Sequence, residues 1–241
     1  MNLFNLHTAN KQLLGYKNRL QIPEFAYAEM KKDPGGRNPE LEAGIAKDPE
    51  LAYKYAQFIL EDRFPAGEEA IAADVKTAYY YAKNIIRGRF ELGEPKIAEN
   101  LDYSYYYAKN IMRDRFELAE ELIATDPENA YYYANYVLKR RWPMAEPIIS
   151  TNGNYAYMYA KNILKDRFPM AEDTISKNAE YSLWYAKDII KGRFPAGEEQ
   201  ISSTAKTAYY YAIDVIKGRW KMGEEAIRHN DDLWEEYIEF I

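Results

Sequence analysis

A 26-residue stretch recurs in register along most of this chain, and no other feature restricts the possible folds as strongly. Alanine, arginine, glutamate and isoleucine each return at this spacing in seven successive units. The arginine row is Arg63, Arg89, Arg115, Arg141, Arg167, Arg193 and Arg219. The glutamate row is Glu68, Glu94, Glu120, Glu146, Glu172, Glu198 and Glu224. A fixed period of this length is typical of solenoids and similar arrays, because one short unit cannot bury its own apolar face.

Each repeat contains the signals of two short helices. Asp48-Pro49-Glu50 begins helix A with a capping side chain, a proline at the first helical position and an acid in the first turn. In the later repeats the capping position holds Asp74, Asn100, Asp126, Asn152, Asn178, Thr204 and Asn230. Helix A is predicted to continue to the arginine row, and its inward stripe is Ala78, Tyr81, Ala82, Ile85, Ile86 and Arg89. Helix B then opens at Pro65, Pro143, Pro169 or Pro195 and carries the glutamate row.

These units predict an all-α fold, an α-solenoid in which about eight two-helix repeats form a right-handed superhelical array with capping helices at both ends. Residues 1–36 are predicted to hold N-terminal capping helices and a degenerate first helix A. The tandem repeats span residues 37–229, and a C-terminal capping helix spans residues 230–241. All three parts are predicted to form one continuous domain, with the recurring alanines at the closest helix contacts.

The two ends of the chain depart from the repeat. Thr8 or Asn10 is predicted to cap a first helix, and a second helix is predicted at residues 24–32. The Pro-Gly-Gly sequence at 34–36 would end that second helix. At the other end, apolar residues alternate with acids at helical spacing, which predicts a last helix over residues 231–241.

The composition restricts the compartment and the class of partner. The chain contains no cysteine, so it has neither a disulfide framework nor a thiolate site. No apolar run approaches the ~18 residues of a membrane span, and the N-terminus lacks the pattern of a signal peptide. We therefore expect a cytoplasmic protein without a membrane partner. The formal net charge of -6 weighs against a general nucleic-acid binder.

No sequence motif predicts catalysis. The only histidines, His7 and His229, lie near opposite ends of the chain, and no glycine-rich phosphate-binding motif occurs. We expect no catalytic residue, no metal site and no cofactor. An arginine at a helix C-terminus and a glutamate at the next N-terminus both complement helix dipoles, so Arg115 and Glu120 are predicted to pair. Alternatively, the arginines are exposed to meet phosphate or carboxylate groups.

The tyrosine triplet of helix A indicates a second, outward face. Successive residues on a helix lie about 100° apart, so residues 79–81 cannot all face the core. A helical wheel places Tyr80, Lys83, Asn84 and Arg87 on the outer side. Over six repeats the equivalent outer positions hold ten basic residues and two acidic ones, although the chain is acidic overall. This face is either solvated, with lysine stems over tyrosine rings, or a surface for a ligand.

The repeat core also resembles a known kind of repeat. The pattern Tyr-Ala-Lys-Asn-Ile-Ile-Lys/Arg-Gly-Arg-Phe/Trp-Pro resembles the short helical repeats of uncharacterised proteins from tailed bacteriophages, and the resemblance covers residues 37–229. It implies a phage-encoded protein in a bacterial host cytoplasm and an interaction with a host factor. It implies no enzymatic activity.

Two functions follow from these patterns. The first is a non-enzymatic scaffold whose outer stripe binds an acidic protein partner, since tyrosine and arginine are typical interface anchors. The alternative is a nucleic-acid or nucleotide binder, in which the rings stack on bases and the cations meet phosphates. The candidate binding residues for both are Tyr80, Lys83, Arg87, Tyr106, Lys109, Arg113, Tyr132, Lys139, Lys161, Lys165, Trp184, Lys187 and Lys191.

Overall fold

The computed structural model describes residues 12–33 and 37–241, and every regular element in those ranges is helical. The predicted all-α repeat fold is therefore confirmed. The expectations for His7, Thr8, Asn10 and residues 34–36 lie outside the described residues. No helix in the described ranges is long and apolar enough to cross a bilayer.

The helices are numbered α1 to α18 in chain order, and helix A alternates with helix B. Before the regular repeats come α1 (residues 12–19), α2 (Pro23–Met30) and α3 (Pro39–Ile45). The helix A series is α4 (Pro49–Tyr55), α6 (Val75–Tyr81), α8 (Leu101–Tyr107), α10 (Pro127–Tyr132), α12 (Gly153–Tyr159), α14 (Ala179–Trp184) and α16 (Ala205–Tyr210). The helix B series is α5 (Glu68–Ala72), α7 (Glu94–Ile97), α9 (Glu120–Ile123), α11 (Glu146–Ile149), α13 (Glu172–Ser176), α15 (Glu198–Ile201) and α17 (Glu224–Arg228). The last helix is α18 (Asp231–Phe240).

Helix A begins at a capping residue in every regular repeat, as predicted. The Asp48 carboxylate accepts a hydrogen bond from the backbone N–H of Leu51 at 2.8 Å, and Asp74 accepts one from Thr77 at the same distance. The equivalent Asn, Asp or Thr side chain caps each of the later A helices and α18. Such a cap stabilises a helix by about 1 kcal/mol because it satisfies an N–H that has no partner within the helix.

Helix A does not remain an α-helix to its end. Each one continues into a π-helical turn, and the turns are Ala56–Leu60, Ala82–Ile86, Ala108–Met112, Tyr133–Leu138, Ala160–Leu164, Tyr185–Ile190 and Tyr211–Ile216. A residue in the left-handed region ends each turn, with φ between 52° and 57°. We call these residues the cap row; they are Glu61, Arg87, Arg113, Lys139, Lys165, Lys191 and Lys217.

The π-helical turn corrects two details of the sequence interpretation. Helix A ends at Ile86 and not at Arg89, and Arg89 is exposed in the turn and does not belong to the buried stripe. A helical wheel assumes a constant rotation per residue, whereas the i→i+5 bonding of a π-helix changes that rotation. The wheel is therefore wrong for the last residues of helix A.

Each repeat contributes small residues, an isoleucine, a phenylalanine or tryptophan and at least one tyrosine to the core. The recurring alanines, such as Ala82 and Ala134, are fully buried, as predicted for the closest helix contacts. Within the triplet, Tyr81 is fully buried and Tyr79 is 5% exposed, whereas Tyr80 lies at the surface and is half-buried. The buried tyrosine recurs as Tyr55, Tyr81, Tyr107, Tyr133, Tyr159, Tyr185, Tyr211 and Tyr237.

The described contacts divide the chain into two compact units, Met1–Leu122 and Ile123–Ile241. In the first unit, α4 packs against α6 and α6 against α8. In the second, successive A helices from α10 to α16 pack in the same way, and α18 packs against α16. Within each unit, helix B lies against the A helices that precede and follow it.

Candidate functional site

The arginine and glutamate rows pair as predicted. Arg115 Nε donates to Glu120 Oε1 at 2.8 Å, and its Nη2 donates to Oε2 at 2.7 Å. The same two-bond pair recurs in every repeat from Arg37–Glu42 to Arg219–Glu224. The glutamates are largely buried and the arginines are about half exposed. The guanidinium groups thus donate hydrogen bonds within the fold.

A tyrosine of the following repeat completes this pair, and the sequence interpretation missed it. Tyr107 OH donates to Glu94 Oε1 at 2.9 Å and accepts the backbone N–H of Phe90 at 2.7 Å. Tyr81 makes the same two contacts with Glu68 and Phe64. The sequence signal was available, because this tyrosine recurs 13 residues after each glutamate.

Burial and hydrogen bonding shift the pKa values of the glutamate and the tyrosine in this Arg–Glu–Tyr contact. Burial alone would raise the pKa of Glu94, but the hydrogen bonds from Arg89 and Tyr107 outweigh it, so the pKa is lowered. Burial raises the pKa of the Tyr81 phenol to about 12. At neutral pH the glutamate is therefore ionised and the tyrosine protonated, as the hydrogen bonds require. The contact joins adjacent repeats and has the character of a structural element.

We call the outward surface of helix A the A face; it consists of Tyr80, Lys83, Asn84 and Arg87 with their equivalents at 26-residue intervals. Its aromatic members are accessible to different degrees. Tyr106 is 47% exposed and Trp184 is 38% exposed, whereas Tyr80 and Tyr132 are half-buried. The predicted outward orientation of this aromatic position agrees with the structure.

Where the position equivalent to Lys83 holds a lysine, that lysine is engaged by neighbouring residues. Lys83 lies over the Tyr79 ring, with 5.8 Å between its Nζ and the ring centroid. Lys109 Nζ donates to Tyr105 OH at 3.0 Å. These contacts match the arrangement of lysine stems over tyrosine rings that the sequence suggested.

In the second compact unit, this lysine joins adjacent repeats. Lys161 Nζ lies 2.7 Å from Asp188 Oδ2 and 2.9 Å from Tyr157 OH, while Lys187 Nζ lies 2.6 Å from Asp214 Oδ2. The hydrogen bond that Lys161 donates to Asp188 is the main cause of the raised pKa of Lys161. Both ammonium groups are therefore held in place by a carboxylate of the next repeat.

The second basic position of each set belongs to the cap row and behaves differently. Arg87, Arg113, Lys139, Lys165, Lys191 and Lys217 are all exposed. Within residues 12–33 and 37–241, none of these six side chains forms an ion pair or hydrogen bond. Their cationic groups are available to a ligand. The sequence identified these residues, but it gave no sign of their left-handed backbone.

Grooves between neighbouring A helices open onto the A face. One cavity of about 450 Å³ lies between α6 and α8, and Tyr80, Lys83, Asp102 and Tyr106 are among the residues that line it. A cavity of about 640 Å³ between α4 and α6 and one of about 230 Å³ between α14 and α16 occupy equivalent positions. Each groove presents aromatic rings beside charged groups.

Aromatic rings pack across these grooves. Tyr103 of α8 lies 5.1 Å from the Tyr79 centroid and 6.4 Å from that of Tyr80. In the second unit, Trp184 lies 5.7 Å from both Tyr157 and Tyr181. These contacts restrict the rings, so that less side-chain entropy is lost when a ligand binds.

A second exposed row lies on the helix B side and was not predicted. Its members stand two residues after the buried Phe or Trp of five repeats, and they are 50–65% exposed. In the first unit they are Leu92 and Leu118, and in the second they are Met144, Met170 and Met222. Their common position in the period was visible in the sequence.

The described residues give no indication of metal or acid–base chemistry. No group of three or more histidine, aspartate or glutamate side chains in those ranges is arranged to hold a metal ion. His229 is exposed, and its Nδ1 lies 2.7 Å from the Glu225 carbonyl oxygen. This histidine has the surroundings of a surface residue.

Comparison of the chain with protein-family models, curated proteins and solved structures finds no match. The functional argument therefore rests on the residues of the A face.

Proposed function

We propose that this chain is a non-enzymatic scaffold that binds an acidic protein partner through the A face. The observation that carries the proposal is the cap row. Six exposed cations, none of which forms an ion pair with a described residue, recur at one position of the repeat, whereas the arginine row two residues later is paired throughout. A regular series of available cations is suited to a partner that contacts several repeats at once.

The backbone of the cap row supports a role in binding. A left-handed conformation costs a non-glycine residue roughly 1–2 kcal/mol, a penalty that glycine does not have. A cation at a helix C-terminus recovers about 0.3–1 kcal/mol, which offsets only part of that strain. The turn itself does not require a cation, because Glu61 adopts it with φ of 52°. Cations at a strained position are therefore better explained by contact with a ligand.

The aromatic residues provide the anchors that cations alone do not. Tyr106 and Trp184 are rigid apolar surfaces beside grooves that a partner side chain can enter. Aromatic residues and arginine dominate the binding energy of many protein interfaces. Arg113 follows Tyr106 by seven residues, so one repeat offers both an anchor and a cation.

The charges favour a protein over a nucleic acid. Asp102 lines the groove between α6 and α8, and Asp188 and Asp214 lie on the A face of later repeats. Together with the net charge of -6, these carboxylates repel a continuous phosphate backbone more than a folded partner with separate acidic groups. Nucleic-acid binding by the same rings and cations is the alternative that the test must exclude.

The origin of the partner follows from the resemblance of the repeats to those of phage proteins. On that basis we propose that the protein acts in a bacterial cytoplasm and that its partner is a host protein.

The test compares binding to two defined anions, poly-L-glutamate and a single-stranded oligothymidylate. The wild-type chain should bind poly-L-glutamate with an on-rate that falls as ionic strength rises. The double variant Tyr106→Ala, Arg113→Glu should lose this binding and keep the melting temperature. The matched control is Lys221→Glu, Met222→Ala, which makes the same charge change at an exposed site outside the A face.

Equal loss of binding in the control would contradict the proposal, because general electrostatic attraction would then be sufficient. Tighter binding of oligothymidylate than of poly-L-glutamate at equal charge would favour the nucleic-acid alternative. A pull-down from a bacterial lysate with the same three proteins then identifies the partner as the species that only the A-face variant fails to retain.

A further inference from the structure

One of the described grooves of the A face differs from the other three in its charge. It lies between the π-helical turns that follow α12 and α14 and has a volume of about 590 Å³. It is lined by Lys161, Lys165, Lys187, Asp188, Ile189 and Lys191. Four ammonium groups therefore surround one carboxylate. The other described grooves are mixed in charge, with Asp48, Glu50 and Asp74 in the first and Glu180 and Asp214 in the last.

The four lysines divide into two held groups and two available groups. Lys161 is held by Asp188 and Tyr157, and Lys187 is held by Asp214. An ammonium group has three donors, so both residues retain at least one N–H for a ligand. Lys165 and Lys191 belong to the cap row and have no such partner among the described residues. The groove thus contains two ammonium groups that are held by carboxylates and two that have no partner among the described residues.

From this arrangement we infer that the groove binds a phosphate dianion, carried by a phosphorylated side chain of the protein partner. The inference rests on the proposed function, since it specifies one contact on the same face. A phosphoryl group carries about 1.5 to 2 negative charges at neutral pH and three strong acceptor oxygens. Asp188 and Asp214 balance two of the four ammonium charges, so a single carboxylate would leave half of the remaining positive charge without compensation. Lysine binds phosphate as a point charge and needs no planar geometry.

The chain itself shows why this site occurs once in the second unit. One repeat later, Ile213 stands where Lys187 stands here, so the pair α14–α16 has lost one of the four cations. One repeat earlier, Asn135 replaces Lys161. Lys139 and Lys217 keep the cap-row position in those repeats and do not line the groove. These two residues provide a matched control.

The experiment uses the full chain and three probes: inorganic phosphate, an acidic peptide with one phosphoserine, and the same peptide with serine. The test variant is Lys165→Gly, Lys191→Gly, and the control is Lys139→Gly, Lys217→Gly. Both remove two cap-row cations and relieve the same backbone strain. The wild type and the control should bind the phosphopeptide equally, and the test variant should bind it at least about tenfold more weakly. Inorganic phosphate should shift the NMR signals of residues 187–192 in the wild type and in the control only.

Three results would overturn the inference. Equal affinity for the phosphorylated and unphosphorylated peptides would show that the groove recognises carboxylates. Equal loss in test and control variants would show that the attraction is not local. A tighter complex with an oligothymidylate of equal charge would make nucleic-acid phosphate the ligand. If glycine disturbs folding, as judged by circular dichroism, asparagine replaces it at the same positions because asparagine tolerates the left-handed region.

The outcomes also separate this inference from the proposed function. Binding of the unphosphorylated peptide that depends on Tyr106 and Arg113, without any gain from phosphate, leaves the scaffold function intact and removes the phosphate site. Binding of inorganic phosphate in the groove, without binding of any acidic polypeptide, would keep the phosphate site and contradict the scaffold function.

Discussion

Arg87 and Arg89 lie two residues apart and repeat with the same period, yet Arg87 belongs to the cap row and Arg89 to the arginine row. Arg89 forms two hydrogen bonds of 2.8 Å with the buried Glu94. Arg87 forms none with the described residues and occupies a left-handed backbone conformation. The contrast shows that repetition of a charged residue does not reveal its role. The role follows from the partner that the fold brings to that residue.

Among the tests that compare the arginine row with the cap row, lowering the pH should have the largest effect on stability. The pKa values of seven arginine-paired glutamates, Glu42 and six partners of the arginine row, are lowered, because hydrogen bonds from arginine and tyrosine together outweigh the opposing effect of burial. Their stabilisation is complete above the unfolded pKa of about 4.3 and is lost as the pH falls through the lower native values. Urea unfolding between neutral pH and about pH 3 should therefore show a steep loss of stability, beginning near the unfolded value. A free energy of unfolding that stays constant over this range would refute the structural role of the glutamates.

A single glutamate of the row should already have a large effect. Glu94→Ala removes the acceptor of both Arg89 and Tyr107 and leaves the buried tyrosine hydroxyl without its carboxylate. We expect a loss of about 2–3 kcal/mol in the free energy of unfolding. Glu94→Gln keeps one acceptor oxygen and should lose less. An alanine variant as stable as the wild type would mean that the pair is only a surface contact.

Substitutions in the tyrosine triplet at residues 105–107 should have a smaller effect on stability, and one of its tyrosines is a control for another. Tyr107→Phe removes the acceptor of the Phe90 N–H, which leaves a buried backbone donor without a partner. The expected loss is about 1–2 kcal/mol. The neighbouring variant Tyr106→Phe should change stability by less than about 0.5 kcal/mol because that ring is 47% exposed. Similar losses in both variants would show that the two tyrosines are not distinguished by the fold.

The regular part of this fold could be predicted from the sequence because it depends on local signals. The period, the caps such as Asp74, the buried alanines and the Arg–Glu pair all follow from residue types at fixed spacing. Each of these features depends on residues within one repeat or on the contact between one repeat and an equivalent neighbour. This is why they required no knowledge of the rest of the chain.

The cap row could not be predicted in full because its conformation contradicts local preference. Lysine and arginine do not favour positive φ, so nothing in the residue type of Arg87 indicates a left-handed end to helix A. The π-helical turn before it also shifts the helical wheel, which misplaced Arg89. The wheel did place Tyr81 inward and Tyr80 outward, as the structure has them. The hydrogen bond of Tyr81 to Glu68 was not predicted, because it depends on a contact between neighbouring repeats.

The most direct test of the central claim is the sign of the stability change at the two neighbouring arginines. The matched variants are Arg87→Gly and Arg89→Gly, measured by urea unfolding at neutral pH. Arg87→Gly relieves a left-handed residue and should leave stability unchanged or raise it by up to about 1 kcal/mol. Arg89→Gly leaves the buried Glu94 without its cation and should lower stability by about 2 kcal/mol or more. A loss of similar size in both variants would contradict the account, because the cap row would then be structural and its cations would not be explained by a ligand.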